Sequence, residues 1–429
     1  EVQKALDVYE ELKTELRENG EAYGPAYSEL QKQLKNVEIE FTQFVTLNTS
    51  GDPVEAREVL EQAETHTYQL QDLMKRVPAI YEELSTDFPN QLKEIKEGYK
   101  KLLADDYVFP EENFMGDIER VEKRVETSKA DLAKTEVQTV ELANRDTAHA
   151  IDDLYNVMER EINARKYVRK NRSVIEEYIQ HANKNNRQLL IEIDHTAQSY
   201  TLNHNELGKV RGFQQEIDEL NRRKNEINPL MDANNIPYSE VQAFYKDGYK
   251  ILDDVETQQV VIDTGLRELR QGESDAQAKV EQFEFRLRNL KRYVEKQRLP
   301  GLPGDYLEYF FMVTDRVEDL SKALNKIRVN MVEVNELVAA CEADIKQLEV
   351  KTNDLVDAAA LTEQMMQYAN RYRHSHPEVK AAIDHSLALF QRDYKYQAAL
   401  DEIGQALERV EPGAFKRIET FYFNNRDLV

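Results

Sequence analysis

The sequence has no tryptophan, one cysteine, 14 glycines and 11 prolines in 429 residues. A single cysteine, Cys341, excludes an intrachain disulfide and suits a reducing compartment. So few glycines and prolines supply too few turns for a compact α/β enzyme, and long helices with few connections fit better. No run of 18 apolar residues spans a bilayer, and no signal peptide is visible. There is no P-loop, no Gly-rich dinucleotide fingerprint, no G-x-S-x-G and no HExxH. No catalytic residue, cofactor or metal is therefore expected. His374 and His376 are the one close histidine pair, and an i, i+2 pair does not share a helix face. Basic residues are outnumbered, 57 Lys and Arg against 81 Asp and Glu, for a net charge of −24. That balance excludes a nucleic-acid groove, which needs a basic surface to displace counterions. It also opposes adhesion to an anionic membrane. The chain opens at Glu1 without a methionine, so it is expected to belong to a longer protein, with room for a membrane anchor before it.

What is present is charge and helical period. A third of the residues are charged and 41% are hydrophobic, enough for thin cores spread along a large surface. Breakers gather near residues 20–25, 51–53, 78, 88–89, 110–116, 228–237, 299–304, 376–377 and 412–413. Residues 117–207 contain neither Gly nor Pro, and as one helix would run roughly 135 Å. A bend is expected at 181–187, which is polar with no apolar anchor. Residues 305–376 form a second such run. Within it Val317, Leu320, Leu324, Ile327, Met331, Val334, Val338, Cys341, Ile345 and Leu348 step by three and four, a heptad seam. Cys341 on that seam reads as a small core residue rather than a reactive thiol. Ile151, Leu154, Tyr155, Met158 and Ile162 make a similar face. Asp52-x-x-Glu55, Ser239-x-x-Gln242, Asp305-x-x-Glu308 and Ser375-x-x-Glu378 have the form of capping boxes, and Pro53 suits a first helical position.

Short segments recur. Lys96-Glu-Gly98-Tyr99-Lys100 returns as Lys246-Asp-Gly248-Tyr249-Lys250, and Lys166-Tyr167-Val168 returns as Arg292-Tyr293-Val294. Their offsets disagree, so the repeat is diverged, not of fixed period. The expected fold is all-α: tandem antiparallel three-helix, spectrin-like bundles joined by long shared helices into an elongated, curved rod. The absence of tryptophan departs from spectrin repeats. Expected segments are 1–105, 106–206, 207–300 and 301–429. A compact chain of this length has a radius of gyration of about 22 Å, and the rod predicts about twice that.

Two basic clusters stand out: Arg165, Lys166, Arg169, Lys170 and Arg172, then Lys291, Arg292, Lys296 and Arg298. They read first as solvated helix faces pairing with acids at i±4, and second as docking surfaces for an acidic partner. The most unusual stretch is 367–373. On a helix, Leu361, Met365, Tyr368 and Tyr372 share a core face, while Gln367, Asn370, Arg371 and His374 form a polar stripe opposite. That stripe is either a plain exposed face or a recognition patch.

Gln367-Tyr368-Ala369-Asn370-Arg371-Tyr372-Arg373 resembles the short Gln-Asn-Arg patch of the EzrA family, septation ring formation regulators of Gram-positive bacteria. Residues 292–303 (RYVEKQRLPGLP) and 396–412 (YQAALDEIGQALERVEP) are also similar to that family. The resemblance runs over the whole chain. It implies an N-terminal transmembrane helix followed by a cytoplasmic arc of spectrin-like repeats. It implies binding to the tubulin-like protein FtsZ, restraint of Z-ring assembly away from mid-cell, and scaffolding of divisome and cell-wall synthesis proteins. The implied location is the cytoplasmic face of the cell membrane at the septum. The implied partner-binding residues are Gln367, Tyr368, Asn370, Arg371, Tyr372 and Arg373. The competing expectation is a spectrin-type mechanical linker or coiled-coil scaffold with no FtsZ role. A chromosome-type coiled coil would require a nucleotide-binding head, and there is no Walker motif.

Overall fold

The computed structural model describes residues 2–110 and 113–426. They form thirteen α-helices: α1 (Val2–Glu18), α2 (Tyr27–Ser50), α3 (Pro53–Glu82), α4 (Phe88–Ala104), α5 (Phe114–Ala133), α6 (Val137–Ala197), α7 (Glu206–Asp232), α8 (Tyr238–Lys296), α9 (Gly304–Leu324), α10 (Met331–Ala369), α11 (Pro377–Gln391), α12 (Tyr396–Val410) and α13 (Ala414–Asn425). Among the described residues no strand forms, and one isolated backbone bridge joins Tyr200 to Val329. The fold is all-α. The chain divides into two compact units, Glu1–Gln180 with Asp218–Leu252, and His181–Ile217 with Asp253–Val429.

In the first unit α1 to α5 and the start of α6 share a core. Tyr9, Leu12 and Leu16 pack with Phe41, Met74, Val77, Ile95, Phe114, Ile118 and Ile151. On α3 the buried Ala63, Thr67, Leu70, Met74 and Val77 recur at three and four, the spacing of one helix face. Asp52 caps α3 by accepting the Glu55 N–H at 3.3 Å, with Pro53 in the first turn. Two expected breakers do not break. Pro78 lies inside α3. Ahead of Pro89 the chain makes a π-turn over Glu83–Asp87, in which Phe88 N–H donates to the Glu83 carbonyl. That wider turn redistributes the carbonyls that the missing proline N–H would orphan.

Residues 117–207 are not one helix. The chain reverses between α5 and α6, with Thr135 at φ 60°. Thr135 N–H donates to Leu132 O at 2.9 Å and Glu136 N–H to Asp131 O at 3.2 Å, the paired bonds of a Schellman ending, here with threonine in the left-handed position glycine usually takes. Nor does α6 break at 181–187. Its anchors there include a polar one. In the second unit Ala182 and Asn186 are fully buried. Asn186 Nδ2 donates to Val210 O at 3.0 Å and to Gln214 Oε1 at 2.9 Å, and Gln259 Nε2 donates to Ala182 O at 3.2 Å. A hydrogen-bonded polar layer takes the place of an apolar one.

Among the described residues, two apolar clusters of the second unit lie around α8 to α13. One joins Phe283 and Leu290 of α8 to Val313, Val317 and Leu320 of α9 and to Val334, Cys341, Ile345 and Leu348 of α10. The other joins Met365 of α10 to Val379 and Phe390 of α11, Tyr396, Ile403 and Leu407 of α12, and Ala414. The heptad seam is therefore divided between two antiparallel helices. Ile327 falls in the turn between them and is 93% exposed, against its expected burial. Asn330 starts α10 by accepting the N–H groups of Val332 and Glu333 at 3.1 and 3.4 Å, so two helices face each other where one was expected. The box at Asp305 also fails, because Pro303 holds the cap position. At the α8–α9 connection Tyr396 Oη donates to Gly301 O at 2.5 Å. A Cβ on Gly301 would lie 2.4 Å from the Tyr394 ring, so any larger residue would have to displace that ring.

A candidate partner-binding patch at the end of α10

The patch lies where α10 stops. Leu361, Met365 and Ala369 are buried, and Tyr368 and Tyr372 lie half-buried against the same core. After Ala369 the backbone tightens into a 3-10 turn, Asn370–Tyr372, and Pro377 opens α11. Gln367, Asn370, Arg371 and His374 are all exposed. The polar stripe thus sits half on an α turn and half on a tighter one, where successive residues lie about 120° apart.

Arg371 differs from its expected place opposite Tyr368. Its guanidinium carbon stands 3.7 Å from the centroid of the Tyr368 ring, a stacked cation–π contact. Arg417 of α13 approaches the same ring and donates from Nη2 to Tyr368 Oη at 2.8 Å. Arg417 also pairs with Glu411 at 3.6 Å. The hydroxyls of Tyr368 and Tyr372, then Arg417 and Arg371, hold the Glu411 carboxyl below the usual carboxylate range. Burial and the neighbouring Glu411 push the Tyr372 phenol up. Arg373 turns toward α11 and meets Asp384 at 3.7 Å.

The six expected residues therefore separate by role. Tyr368 and Tyr372 join the patch to the core, Arg373 ties it to α11, and Gln367, Asn370 and Arg371 face outward. Arg417 and Glu411 were missed by reading the sequence. They follow by some forty residues, no local spacing links them to α10, and the fold alone brings them there. The patch offers two amide side chains and the outer face of a guanidinium, which is chemistry for recognising polar backbone and carboxylates.

Elsewhere Cys341 is fully buried, and burial pushes its thiol up to about 11, far from a nucleophile's range. Among the described residues no cluster of three or more His, Cys, Asp or Glu is placed to hold a metal ion. No helix among them is long and apolar enough to cross a membrane.

Comparison with known proteins gives one answer. The family described as "Septation ring formation regulator, EzrA" matches residues 1–422. The septation ring formation regulator EzrA of Enterococcus faecalis is 67% identical over 99% of this chain and 74% of its own length. That of Lactococcus lactis subsp. cremoris is 41% identical with the same coverage of both chains. Among solved structures, the cytoplasmic domain of bacterial cell division protein EzrA aligns with a TM-score of 0.61 over 98% of this chain and 78% of that one. At 19% identity it supports the all-α fold alone. The relatives are named as regulators of septation, a role in cell division, and not as enzymes. This chain belongs to the EzrA family of septation ring formation regulators.

Proposed function

We propose that this chain is the cytoplasmic part of a division regulator that binds FtsZ, restrains Z-ring assembly away from mid-cell and scaffolds divisome and cell-wall synthesis proteins. In this reading a transmembrane helix N-terminal to the region holds it at the cytoplasmic face of the membrane, concentrated at the septum. Gln367, Tyr368, Asn370, Arg371, Tyr372 and Arg373 form the partner-binding patch. The reading divides the chain into four bundles, 1–105, 106–206, 207–300 and 301–429.

The observation that supports it best is the outward display of Gln367, Asn370 and Arg371 on a fixed platform. Among the described residues, neither amide makes a side-chain hydrogen bond and Arg371 has no ion pair, while the Tyr368 beneath them is held by Arg417. The two amides are presented without an internal hydrogen-bond partner to lose, and Arg371 keeps its outer face open while stacked on Tyr368.

Replacing Asn370 and Arg371 together by alanine is expected to leave the melting temperature within a few degrees. The loss is one exposed cation–π contact, about 0.5–1 kcal/mol. The same variant is expected to lose septal localisation and to change FtsZ pelleting less than the parent does. Arg371→Lys should restore only part, since lysine lacks the planar fork and the stack. A variant that is stable, localises and divides normally removes the patch from this role. A parent chain with no effect on FtsZ pelleting points instead to a linker.

A further inference from the structure

We propose that the outer face of α8, over its last three turns, is a second docking surface, one that takes an acidic segment of another protein. Phe285, Arg288, Arg292 and Lys296 are exposed, and their spacing of three, four and four sets them in one row along the helix. Lys291 and Arg298 flank the row and are exposed too. The row spans about 17 Å at 1.5 Å per residue, the length of a three-turn helix.

Among the described residues, Arg288, Lys291, Arg292, Lys296 and Arg298 make no ion pair, although Glu284 lies four residues before Arg288 and Glu295 four after Lys291. Their helix neighbour Arg286 is different: it turns inward and pairs with Glu342 and Glu349 at 3.1 and 2.9 Å. The other basic cluster is also partly committed inside its own unit. Arg165 lies over the Tyr107 and Tyr238 rings at 4.8 and 5.7 Å, and Arg172 grips Asp232 at 2.8 Å.

Cations near a helix C-terminus are favoured by the helix dipole, but that effect fades within the last turn. It covers Lys296 and not Arg288 or Arg292. Phe285 adds an aromatic ring, 55% exposed, to the row. An aromatic beside cations suits a protein segment that brings both carboxylates and an apolar side chain. The charge of the whole chain does not oppose this, because at physiological salt it is screened beyond roughly 8 Å and the local row decides. Two other occupants, a second copy of the chain and a broad anionic membrane, give different outcomes in the test.

The test uses the full chain and a fluorescein-labelled acidic helical peptide with Glu on one face and a single Phe, followed by anisotropy in 150 mM salt. The triple variant Arg288→Ser, Arg292→Ser, Lys296→Ser is expected to bind roughly tenfold more weakly or worse. Phe285→Ser should also weaken binding, at unchanged charge. The control Lys166→Ser, Arg169→Ser, Lys170→Ser removes as many cations and should change binding less than about twofold. Circular dichroism on each variant checks that the fold is kept, as expected for exposed positions. Equal loss in the control would reduce the effect to bulk charge and overturn the proposal. So would no binding at about 100 μM peptide, a parent chain that floats with phosphatidylglycerol vesicles through these residues, or salt-sensitive dimers abolished by the triple variant.

Discussion

Arg76 on α3 reaches Glu141 on α6, with Nε 2.7 Å from Oε1 and a second contact from Nη2 to Oε2. The hydrogen bonds from Arg76 hold the Glu141 carboxyl below the usual carboxylate range. A carboxylate whose folded value is depressed adds stability above its unfolded value, and loses it as pH falls through the folded one. Both side chains keep about a third of their exposure, so solvent screens the pair and its contribution is small. Nearby Glu83 has the opposite sign. Burial pushes its carboxyl up despite Asn144 beside it, and protonating Glu83 favours the folded state as pH falls. Between pH 5 and 3 the wild-type melting temperature should therefore drop more steeply than that of Glu141→Gln, with Glu83 present in both. Parallel profiles would show that the pair adds nothing. Neither partner announces itself in the sequence, where acids are everywhere and the two stand 65 residues apart. The same limit hid Arg417 from the patch. Gln367, Asn370 and Arg371 were legible as an outward stripe because their exposure follows from spacing on one element. The Arg371 stack on Tyr368 was not, since it depends on rotamers and a shortened turn.

At the level of elements, helical period carried most of the information and termini carried the errors. The seam on α9 and α10 is visible as apolar steps of three and four; Val317, Leu320, Leu324, Met331, Val334, Cys341, Ile345 and Leu348 are buried, while Val338 is only half-buried. The breaks at Thr135 and between Asn325 and Asn330 were missed because neither contains glycine or proline. A left-handed threonine and an asparagine cap do the work instead, and both residue types also occur inside helices. Pro78 and Pro89 mislead in the other direction, since one sits within α3 and the other follows a π-turn. The divided seam gives a direct comparison. Val334 is fully buried and Ile327 is almost fully exposed. Val334→Asp puts an unpaired charge into the α8–α9–α10 core and should cost several kcal/mol, on the order of 3–5. Ile327→Asp should stay within about 0.5 kcal/mol. Thermal unfolding of both variants checks the assignment, and a continuous helix through 327 would make the two costs alike.

For the whole molecule, composition alone excluded most alternatives. Few turns, no apolar run and a large acidic excess left long helices with thin cores, and helices are what the described residues form. Which bundle each helix enters was not legible, because antiparallel neighbours depend on where the chain reverses. Most reversals are short, as between α9 and α10 or α11 and α12, so most pairings are local in sequence. The bridge at Val329 is an exception. Val329 N–H donates to Ser199 O at 3.0 Å and Thr201 N–H to Val329 O at 2.8 Å. Beside it Asn203 Nδ2 donates to Asn330 Oδ1 at 2.9 Å across 127 residues. Closing a loop of that length costs about 2–3 kcal/mol more chain entropy than closing a six-residue turn, and nothing offsets the difference until the intervening helices are in place. The order of folding follows: the local hairpins form first, and this tie closes last. In pulse-labelled refolding, amide protection at Val329 and Thr201 should appear after protection within α9, α10, α11 and α12. Simultaneous protection would mean that the distant strands of chain are gathered early, before the helices between them are set. The two amides thus act as a clock for this unit, recording when its last long loop is shut.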